Sequence, residues 1–139
     1  MSDLLIKAGP HTLKGRLETE KAPLTCAAFL AMLPFKENLL HVRWSGESMW
    51  VPLGNLAVGV PPENATTYPL PGEILLYPGG VSETEILIPY GRTQFGSKAG
   101  LLAGNHFLTV VAGAEHLTDL GRLALWTGAQ PILIDRYDD

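Results

Sequence analysis

Glycine and proline punctuate this sequence so densely that no apolar run in it is long. The chain of 139 residues contains 15 glycines and 11 prolines, which outnumber its 10 basic and 14 acidic residues combined. Because both residue types interrupt regular structure, this density argues against a helix bundle and favours many short strands joined by turns. A chain of this length can bury one hydrophobic core, so we expect a single domain over residues 1–139.

Net charge and cysteine content limit the binding partners and the cellular compartment that we expect. The formal net charge of −4 gives no basic footprint for nucleic acid. Cys26 is the only cysteine, so no intrachain disulfide can form and an oxidising compartment is not indicated. The longest apolar stretch, 26–34, is far shorter than the roughly 20 residues of a membrane span, and the first ten residues lack a signal-peptide pattern. We therefore expect a cytoplasmic protein that binds neither nucleic acid nor membrane.

Alternating polar and apolar residues predict about eight strands. Gly9-Pro10 separates runs at 2–7 and 11–18, where Leu13 and Leu17 share one face, and the pair reads as a hairpin. The other predicted strands are 38–44, Ser48–Leu53, Glu73–Tyr77, Thr84–Tyr90, Asn105–Ala112 and Pro131–Arg136, with a further short strand near Thr93–Phe95. So many strands favour a closed or nearly closed barrel, which leaves no free sheet edge.

Two helices are predicted between the strands. Pro23 stands at a typical first helical position, and a run of alanine and leucine continues to residue 33, where Pro34 ends it. This helix is apolar on most sides, so we expect it to cover the open end of a sheet. A weaker amphipathic helix is predicted over Ala114–Arg122. Residues 59–72 contain four prolines and are predicted to form a loop with at most one helical turn.

Several segments resemble the cyclophilins. These are the stretch from Lys14 (Lys-Gly-Arg-Leu-Glu), the helix from Ala22 (Ala-Pro-Leu-Thr-Cys-Ala-Ala-Phe-Leu) and the run from Gly104 (Gly-Asn-His-Phe-Leu-Thr). The stretches Gly46–Trp50, 62–69 and 71–79 are similar to a bacterial family of small cyclophilin-like proteins of uncharacterised function. The resemblance covers nearly the whole chain and implies a mainly β, closed eight-stranded barrel with two covering α-helices.

The cyclophilin proline-binding groove is only partly matched. Arg43 lies in a His-Val-Arg strand, and Met49 follows it at the spacing of the family methionine. Ser48 and Val51 replace the family phenylalanine and glutamine, and His106 stands where a second groove glutamine would be. The tryptophan and histidine of the proline pocket have no clear counterparts. The resemblance thus implies that the barrel is kept, while the residues of the proline-binding groove are largely replaced.

The densest cluster of functional residue types lies just after the predicted strand 38–44. Arg43, Trp44, Glu47 and Trp50 fall within eight residues, and Met49 lies among them. Amphipathic aromatic side chains beside both charge signs suit a small polar ligand, and an arginine can clamp a carboxylate with two hydrogen bonds. The alternative is that both tryptophans belong to the core and Arg43 forms a local salt bridge with Glu47.

Two residues are candidates for acid–base catalysis. Glu63 lies beside Asn64 in the proline-rich loop, and burial could raise its pKa enough for it to act as a general base. His106 begins a predicted strand, and an imidazole titrates near neutrality. The alternatives are structural: Asx and threonine side chains brace loops such as 62–69, and a lone histidine is commonly bonded to backbone. For His106 the family resemblance favours the functional reading. For Glu63 the structural reading comes first, and the resemblance only places this glutamate ahead of the other loop acids.

The remaining candidates are two tyrosines. Tyr77 and Tyr90 end the central predicted strands, where ligand-contacting hydroxyls tend to lie. His11, His41 and His116 are scattered without metal-ligand spacing, so no metal and no cofactor are predicted.

Three functions remain open. The favoured one is a small-molecule-binding protein or enzyme on a cyclophilin-like barrel, which binds or hydrolyses a small cyclic amide or a carboxylate-bearing ligand. That ligand class rests on analogy with lactam- and urea-processing relatives of the fold. The alternatives are a peptidyl-prolyl isomerase that uses Arg43 and Met49, and a non-catalytic module that works as a homodimer.

Overall fold

The protein is a closed, eight-stranded antiparallel β-barrel with two short helices. The computed structural model describes residues 3–137. The barrel strands are β1 (Leu4–Ala8), β2 (His11–Leu17), β3 (Phe35–His41), β4 (Gly46–Gly54), β6 (Glu73–Tyr77), β7 (Thr84–Thr93), β10 (Gly104–Ala112) and β11 (Gln130–Arg136). The short strands are β5 (Ala65–Thr66), β8 (Gly96–Ser97) and β9 (Gly100–Leu101). The mainly β fold predicted from the sequence is confirmed.

The strand order is not the chain order. Around the ring it runs β2-β1-β11-β3-β4-β7-β6-β10, and β10 pairs with β2 to close the barrel. The most C-terminal strand, β11, lies between β1 and β3, where Ile6 faces Ile134 and Phe35 faces Ile134 on the other side. Strand β5 pairs beside the start of β10, and β8 and β9 form a separate small hairpin.

Side-chain alternation divides the apolar residues between the barrel interior and one outer face. On β6 and β7, Ile74 and Ile86 point into the main core, whereas Leu75 and Leu87 point outward. We call the outward set the outer cluster; its buried members are Leu75, Tyr77, Leu87, Phe95 and Leu102. The loop that carries β8 and β9 covers these side chains, so β6 and β7 are buried on both faces.

The helices lie against different strands. Helix α1 (Pro23–Leu30) packs on β10, where the Phe29 and Phe107 rings are 5.0 Å apart. Helix α2 (Leu117–Thr127) follows one 3₁₀ turn and packs on β3, β4 and β7. Gly121 of α2 lies so close to the Tyr90 ring that a β-carbon there would overlap it. Neither helix of the described chain is long and apolar enough to cross a membrane.

Element boundaries differ from the sequence predictions in several places. Helix α1 ends at Leu30 rather than 33, and β3 starts at Phe35 rather than 38 because Phe35 is buried and continues the pairing with β11. Helix α2 runs on to Thr127, since Ala124 also contributes to the core. The predicted hairpin forms, although residue 2 of its first run lies outside the described residues.

Short paired strands form in two segments: the predicted loop 59–72 and the segment that follows Thr93. The proline-rich loop includes β5, which pairs with the start of β10. The extra strand predicted near Thr93–Phe95 is instead the end of β7 at Thr93, followed by the hairpin of β8 and β9. Backbone pairing in these segments depends on distant partners, which local sequence patterns do not reveal.

Candidate functional site

A cavity of about 700 Å³ opens on the outer face of the barrel. Five parts of the chain surround it: the end of β3 with the following turn, β4 at Trp50, the start of β7, the loop at 96–98 and the end of α2 with the residues just after it. The polar side chains in its wall are those of His41, Arg43, Ser45, Ser82, Glu83, Glu85, Ser97 and Lys98, together with the indole groups of Trp44 and Trp50. Its size suits a small organic ligand.

Three of the predicted ligand-binding residues line this cavity together. The Arg43 guanidinium lies 5.6 Å from the centre of the Trp44 ring, in cation–π range, and Trp50 packs against the outer cluster. The Ser45 hydroxyl accepts a hydrogen bond from the Gly96 N–H and donates one to the Gly96 carbonyl, which ties the turn after β3 to the loop at 96–98. These contacts hold an arginine and two tryptophans around one opening.

Glu85 is the buried acid of the cavity wall, and the sequence analysis did not identify it. Its residue is only 6% exposed and lies on the outward face of β7 with Leu87. Burial, assisted by the nearby negative charge of Glu83, raises the pKa of Glu85 from an ordinary 4.5 to about 8. At neutral pH this carboxyl group is therefore mostly protonated, and it can donate as well as accept a hydrogen bond.

His41 forms another part of the wall and is hydrogen-bonded to Tyr90 behind it. His41 Nδ1 lies 2.8 Å from the Val42 carbonyl oxygen, which can only accept, so Nδ1 carries a proton. In the neutral ring, Nε2 then accepts a hydrogen bond of 2.7 Å from the Tyr90 hydroxyl. Burial and the charge of Glu47 raise the pKa of Tyr90, against the opposing effect of Arg122. Tyr90 was among the predicted ligand-binding residues, and it reaches the cavity through His41.

Glu47 and Met49 lie apart from the cavity. The Glu47 carboxylate accepts a hydrogen bond from the Arg92 N–H at 2.9 Å, and no ion pair joins Glu47 to Arg43 within residues 3–137. The alternative of a local salt bridge between them is therefore wrong. Met49 is fully buried in the main core, on the opposite face of β4 from Trp50.

Glu63 and Asn64 belong to a polar network that ties helix α1, the proline-rich loop and β10 together. Glu63 Oε1 accepts hydrogen bonds from the Thr25 backbone N–H at 2.5 Å and from its hydroxyl at 2.7 Å, in the first turn of α1. The Asn105 amide donates to the Thr25 hydroxyl and to the Pro61 carbonyl. Asn64, with φ of 50°, donates from its side chain to the His106 carbonyl. Neither Glu63 nor Asn64 lines the cavity on the outer face of the barrel.

His106 heads a hydrogen-bonded chain on the outside of the barrel. Its Nε2 lies 2.7 Å from the Thr109 hydroxyl, which donates to Glu18 at 2.6 Å. The Thr109 hydroxyl must then accept from Nε2–H, which leaves Nδ1 as the basic nitrogen of the ring. Burial lowers the pKa of His106, and the charges of Glu73 and Glu18 only partly offset this. Like Glu63, His106 does not line the outer cavity.

The Tyr77 hydroxyl forms hydrogen bonds to backbone groups. It accepts hydrogen bonds from the N–H groups of Val81 and Ser82, and so shapes the loop that leads into β7. The ring belongs to the outer cluster, edge-on to Phe95 at 5.8 Å. No group of three His, Cys, Asp or Glu side chains in the described chain is arranged to hold a metal ion.

Sequence reasoning missed Glu85 and His41 for different reasons. Glu85 shares its strand face with Leu87, and an acid on the apolar face of a strand is a usable signal that was not followed. His41 was tested only for metal-ligand spacing, and its partner Tyr90 lies 49 residues away in the sequence. Only the barrel geometry brings these two side chains together.

Comparisons with known proteins support the fold. A sequence family described as a protein of unknown function, DUF3830, matches residues 4–135. No curated protein matches the sequence significantly. A structure of McbB in complex with tryptophan is similar with a TM-score of 0.73 and 16% identity, over 98% of this chain and 45% of that one. The chain thus spans less than half of the length of McbB.

A second similar structure is that of a small archaeal protein. The solution structure of the hypothetical protein AF2241 from Archaeoglobus fulgidus has a TM-score of 0.62 and 18% identity, over 98% of this chain and 95% of that one. At these identities the two similarities show a shared fold and carry no site residue across.

Proposed function

Because the chain belongs to the DUF3830 family of proteins of unknown function, its activity has to be inferred from the site itself, and we propose that the outer cavity binds a small ligand with a carboxylate and a flat apolar body. The observation that carries this proposal is the convergence of Arg43, Trp44 and Trp50 on one cavity of about 700 Å³. The guanidinium can take a carboxylate through two hydrogen bonds, and the indole rings can stack on the rest of the ligand.

The chemistry of the wall supports a ligand over a solvent-filled groove. Apolar side chains such as Leu40, Val42 and Leu125 make up much of the lining, and a few polar groups interrupt them. This combination is typical of small-molecule sites, in which the apolar wall supplies affinity and the polar groups fix orientation. Trp44 is 57% exposed, so a bound ligand would also remove apolar surface of the protein from water.

Fold-level similarity gives weaker support in the same direction. McbB, which shares the fold, is described in complex with tryptophan, a molecule with a carboxylate and a flat indole ring. The proposal also includes a relationship to the cyclophilins, which rests on the sequence motifs alone. Neither likeness fixes the ligand, because one fold hosts many functions.

Binding is better supported than hydrolysis. Hydrolysis of a cyclic amide by the predicted pair Glu63 and His106 would require both groups beside the bound ligand, and neither lines the outer cavity. The carboxylate of Glu63 is already held by two donors of Thr25. A prolyl isomerase that uses Arg43 and Met49 is also less well supported, since Met49 points into the barrel core.

Titration with indole-3-propionate, which carries a carboxylate and no amine, tests the proposal directly. We expect the protein to bind it in isothermal titration calorimetry, and we expect Arg43→Gln to weaken binding at least tenfold, about 1.4 kcal/mol. That loss is at the low end for one charge-assisted hydrogen bond. Trp50→Leu should weaken binding as well, since it removes the stacking surface while leaving an apolar wall.

Arg136→Gln provides the matched control, because Arg136 is exposed on β11 and lies outside the cavity lining. It removes the same charge from the protein, so any long-range electrostatic effect is shared. Equal weakening by Arg43→Gln and Arg136→Gln, or no binding of any aromatic carboxylate at millimolar concentration, would show that the proposal is wrong.

A further inference from the structure

The carboxyl group of Glu85 has no hydrogen-bonding or ionic partner within residues 3–137. On β4 its neighbour across the ladder is Pro52, which has no N–H to offer. On β6 its neighbour is Tyr77, whose hydroxyl is occupied by the N–H groups of Val81 and Ser82. The Glu85 residue is almost wholly buried, but its carboxyl oxygens are not fully enclosed and face the cavity, so a bound ligand can supply their donor.

The charged groups of the cavity are segregated. Arg43 and Lys98 belong to the turn after β3 and to the loop at 96–98, which Ser45 joins through its two bonds to Gly96. Glu83 and Glu85 lie at the other side, at the start of β7. Trp50 lies between the two sides: on β7 its ladder partner is Leu87, two residues along from Glu85.

We propose that Glu85, assisted by Glu83 at the rim, binds a protonated amine of the ligand, so that the cavity takes a small aromatic molecule with both an ammonium and a carboxylate group. This inference rests on the proposed function and names the ligand class more closely. The ammonium supplies the donors that the protein does not give to Glu85, and the carboxylate goes to Arg43 at the opposite side.

Binding of such a ligand moves one proton. Burial keeps the pKa of Glu85 near 8 in the empty cavity, so the group is mostly neutral at pH 7. An ammonium held against it favours the carboxylate, so Glu85 gives up its proton and the proton passes to the buffer. The other titratable groups of the cavity are His41, Glu83 and Lys98; of these, Glu83 acts on Glu85 to keep it protonated.

Calorimetric titration at about pH 7 in two buffers of different ionisation enthalpy, such as phosphate and Tris, measures this proton. The compounds 5-(aminomethyl)indole-3-propionate, tryptamine and indole-3-propionate form a test set: the first carries an ammonium and a carboxylate at opposite ends of the indole, the second carries only the amine and the third only the carboxylate. We expect release of close to one proton per bound 5-(aminomethyl)indole-3-propionate or tryptamine, and of almost none per bound indole-3-propionate.

The variant Glu85→Gln tests the residue itself. It should abolish proton release and weaken the binding of 5-(aminomethyl)indole-3-propionate at least tenfold, while indole-3-propionate binds as it does to the unchanged protein. Glu37→Gln, an exposed acid on β3 outside the cavity lining, should leave all three ligands and the proton release unaffected.

The outcomes separate this inference from the proposed function. If indole-3-propionate binds through Arg43 but the amines bind without proton release, or if Glu85→Gln leaves their affinity unchanged, the inference is wrong and the proposed function stands. If tryptamine binds with proton release and indole-3-propionate does not bind, the role of Glu85 stands and carboxylate recognition by Arg43 is wrong. If none of the three binds at millimolar concentration, both are wrong.

Discussion

Two acidic side chains of this barrel are held away from bulk water in opposite ways. Glu63 lies in the network between α1 and β10, where the backbone and the hydroxyl of Thr25 both donate to its carboxylate. Glu85 lies in the wall of the outer cavity and receives no donor from the described protein. The residue type is the same, and the number of donors around it differs.

The difference teaches how a structural acid can be told from a candidate site. A carboxylate that already accepts charge-assisted hydrogen bonds stabilises the fold, and a ligand would have to displace those donors. A buried carboxyl group without donors makes no such contribution, so the fold gains nothing from its charge. Glu63, which the sequence predicted to be catalytic, is by this criterion a structural acid. Glu85, which the sequence did not single out, is the acid that is open to a ligand.

The largest effect that we expect on stability is from Glu63→Ala. The substitution leaves the N–H of Thr25 in the first turn of α1 without its acceptor, and it removes the anion at that helix end. We expect the free energy of unfolding to fall by about 3 kcal/mol, measured by urea denaturation. Glu63→Gln keeps a carbonyl acceptor and should cost clearly less; equal losses would show that the bonds to Thr25 do not stabilise the protein.

Glu85→Gln should have the opposite effect and raise the free energy of unfolding above neutral pH. Since folding raises the pKa of Glu85 from 4.5 to about 8, ionisation opposes folding, and stability falls as the pH rises from about 4.5 to about 8. The neutral amide removes this dependence. We expect the variant to match the unchanged protein near pH 4.5, to exceed its stability by about 2 kcal/mol near pH 6, and to gain further up to about pH 8.

Thermal or urea unfolding at several pH values measures that difference. Glu37→Gln is again the control, because an exposed acid on β3 should change the pH dependence little. A Glu85→Gln variant that is less stable than the unchanged protein at every pH would mean that the carboxylate has a partner in the folded state.

The smallest expected effect concerns Glu18, an acid with donors at the barrel surface. Burial alone would raise its pKa, but hydrogen bonds from Thr109 and Arg16 outweigh this and hold the pKa below its ordinary value. Glu18 therefore adds stability above the pKa of the unfolded chain, and this contribution is lost as the pH falls through the acid range. Thr109→Val removes one donor, so the pKa of Glu18 should rise towards its ordinary value and stability near pH 7 should drop by about 1 kcal/mol.

NMR titration of the Glu18 side chain measures the first effect and urea denaturation the second. The same titration reports on His106, whose Nε2 lies against Thr109. If Thr109→Val leaves the titration of Glu18 unchanged, then donors do not govern this acid, and the contrast between Glu63 and Glu85 loses its basis.

Local signals in the sequence were sufficient for the fold. Gly9-Pro10 marks the first turn, Pro23 starts α1, and alternation over 11–18 and 105–112 gives the strands their inward faces. These features depend on residues close together in the chain, so they can be read without a structure. The end of α1 and the start of β3 were missed because burial of Phe35, a tertiary effect, decides them.

The site could be predicted only in part. Arg43, Trp44 and Trp50 are close in sequence, and they do line one cavity. The rest of its wall comes from β7, from the loop at 96–98 and from the end of α2, whose approach depends on strand pairing and on the fit of Gly121 against Tyr90. Strand register over such separations is set by packing of the whole barrel, which a single sequence does not display.

The place of β11 in the ring has a consequence for how the protein is made. The strand lies between β1 and β3, so the ring stays open during translation until residues 130–136 have left the ribosome. Until then β1 and β3 each present an unpaired edge to the crowded cell, and such edges are prone to pair with other chains. The nascent protein is thus vulnerable to aggregation at these two edges until β11 emerges, and a chaperone that shields strand edges would act during that interval.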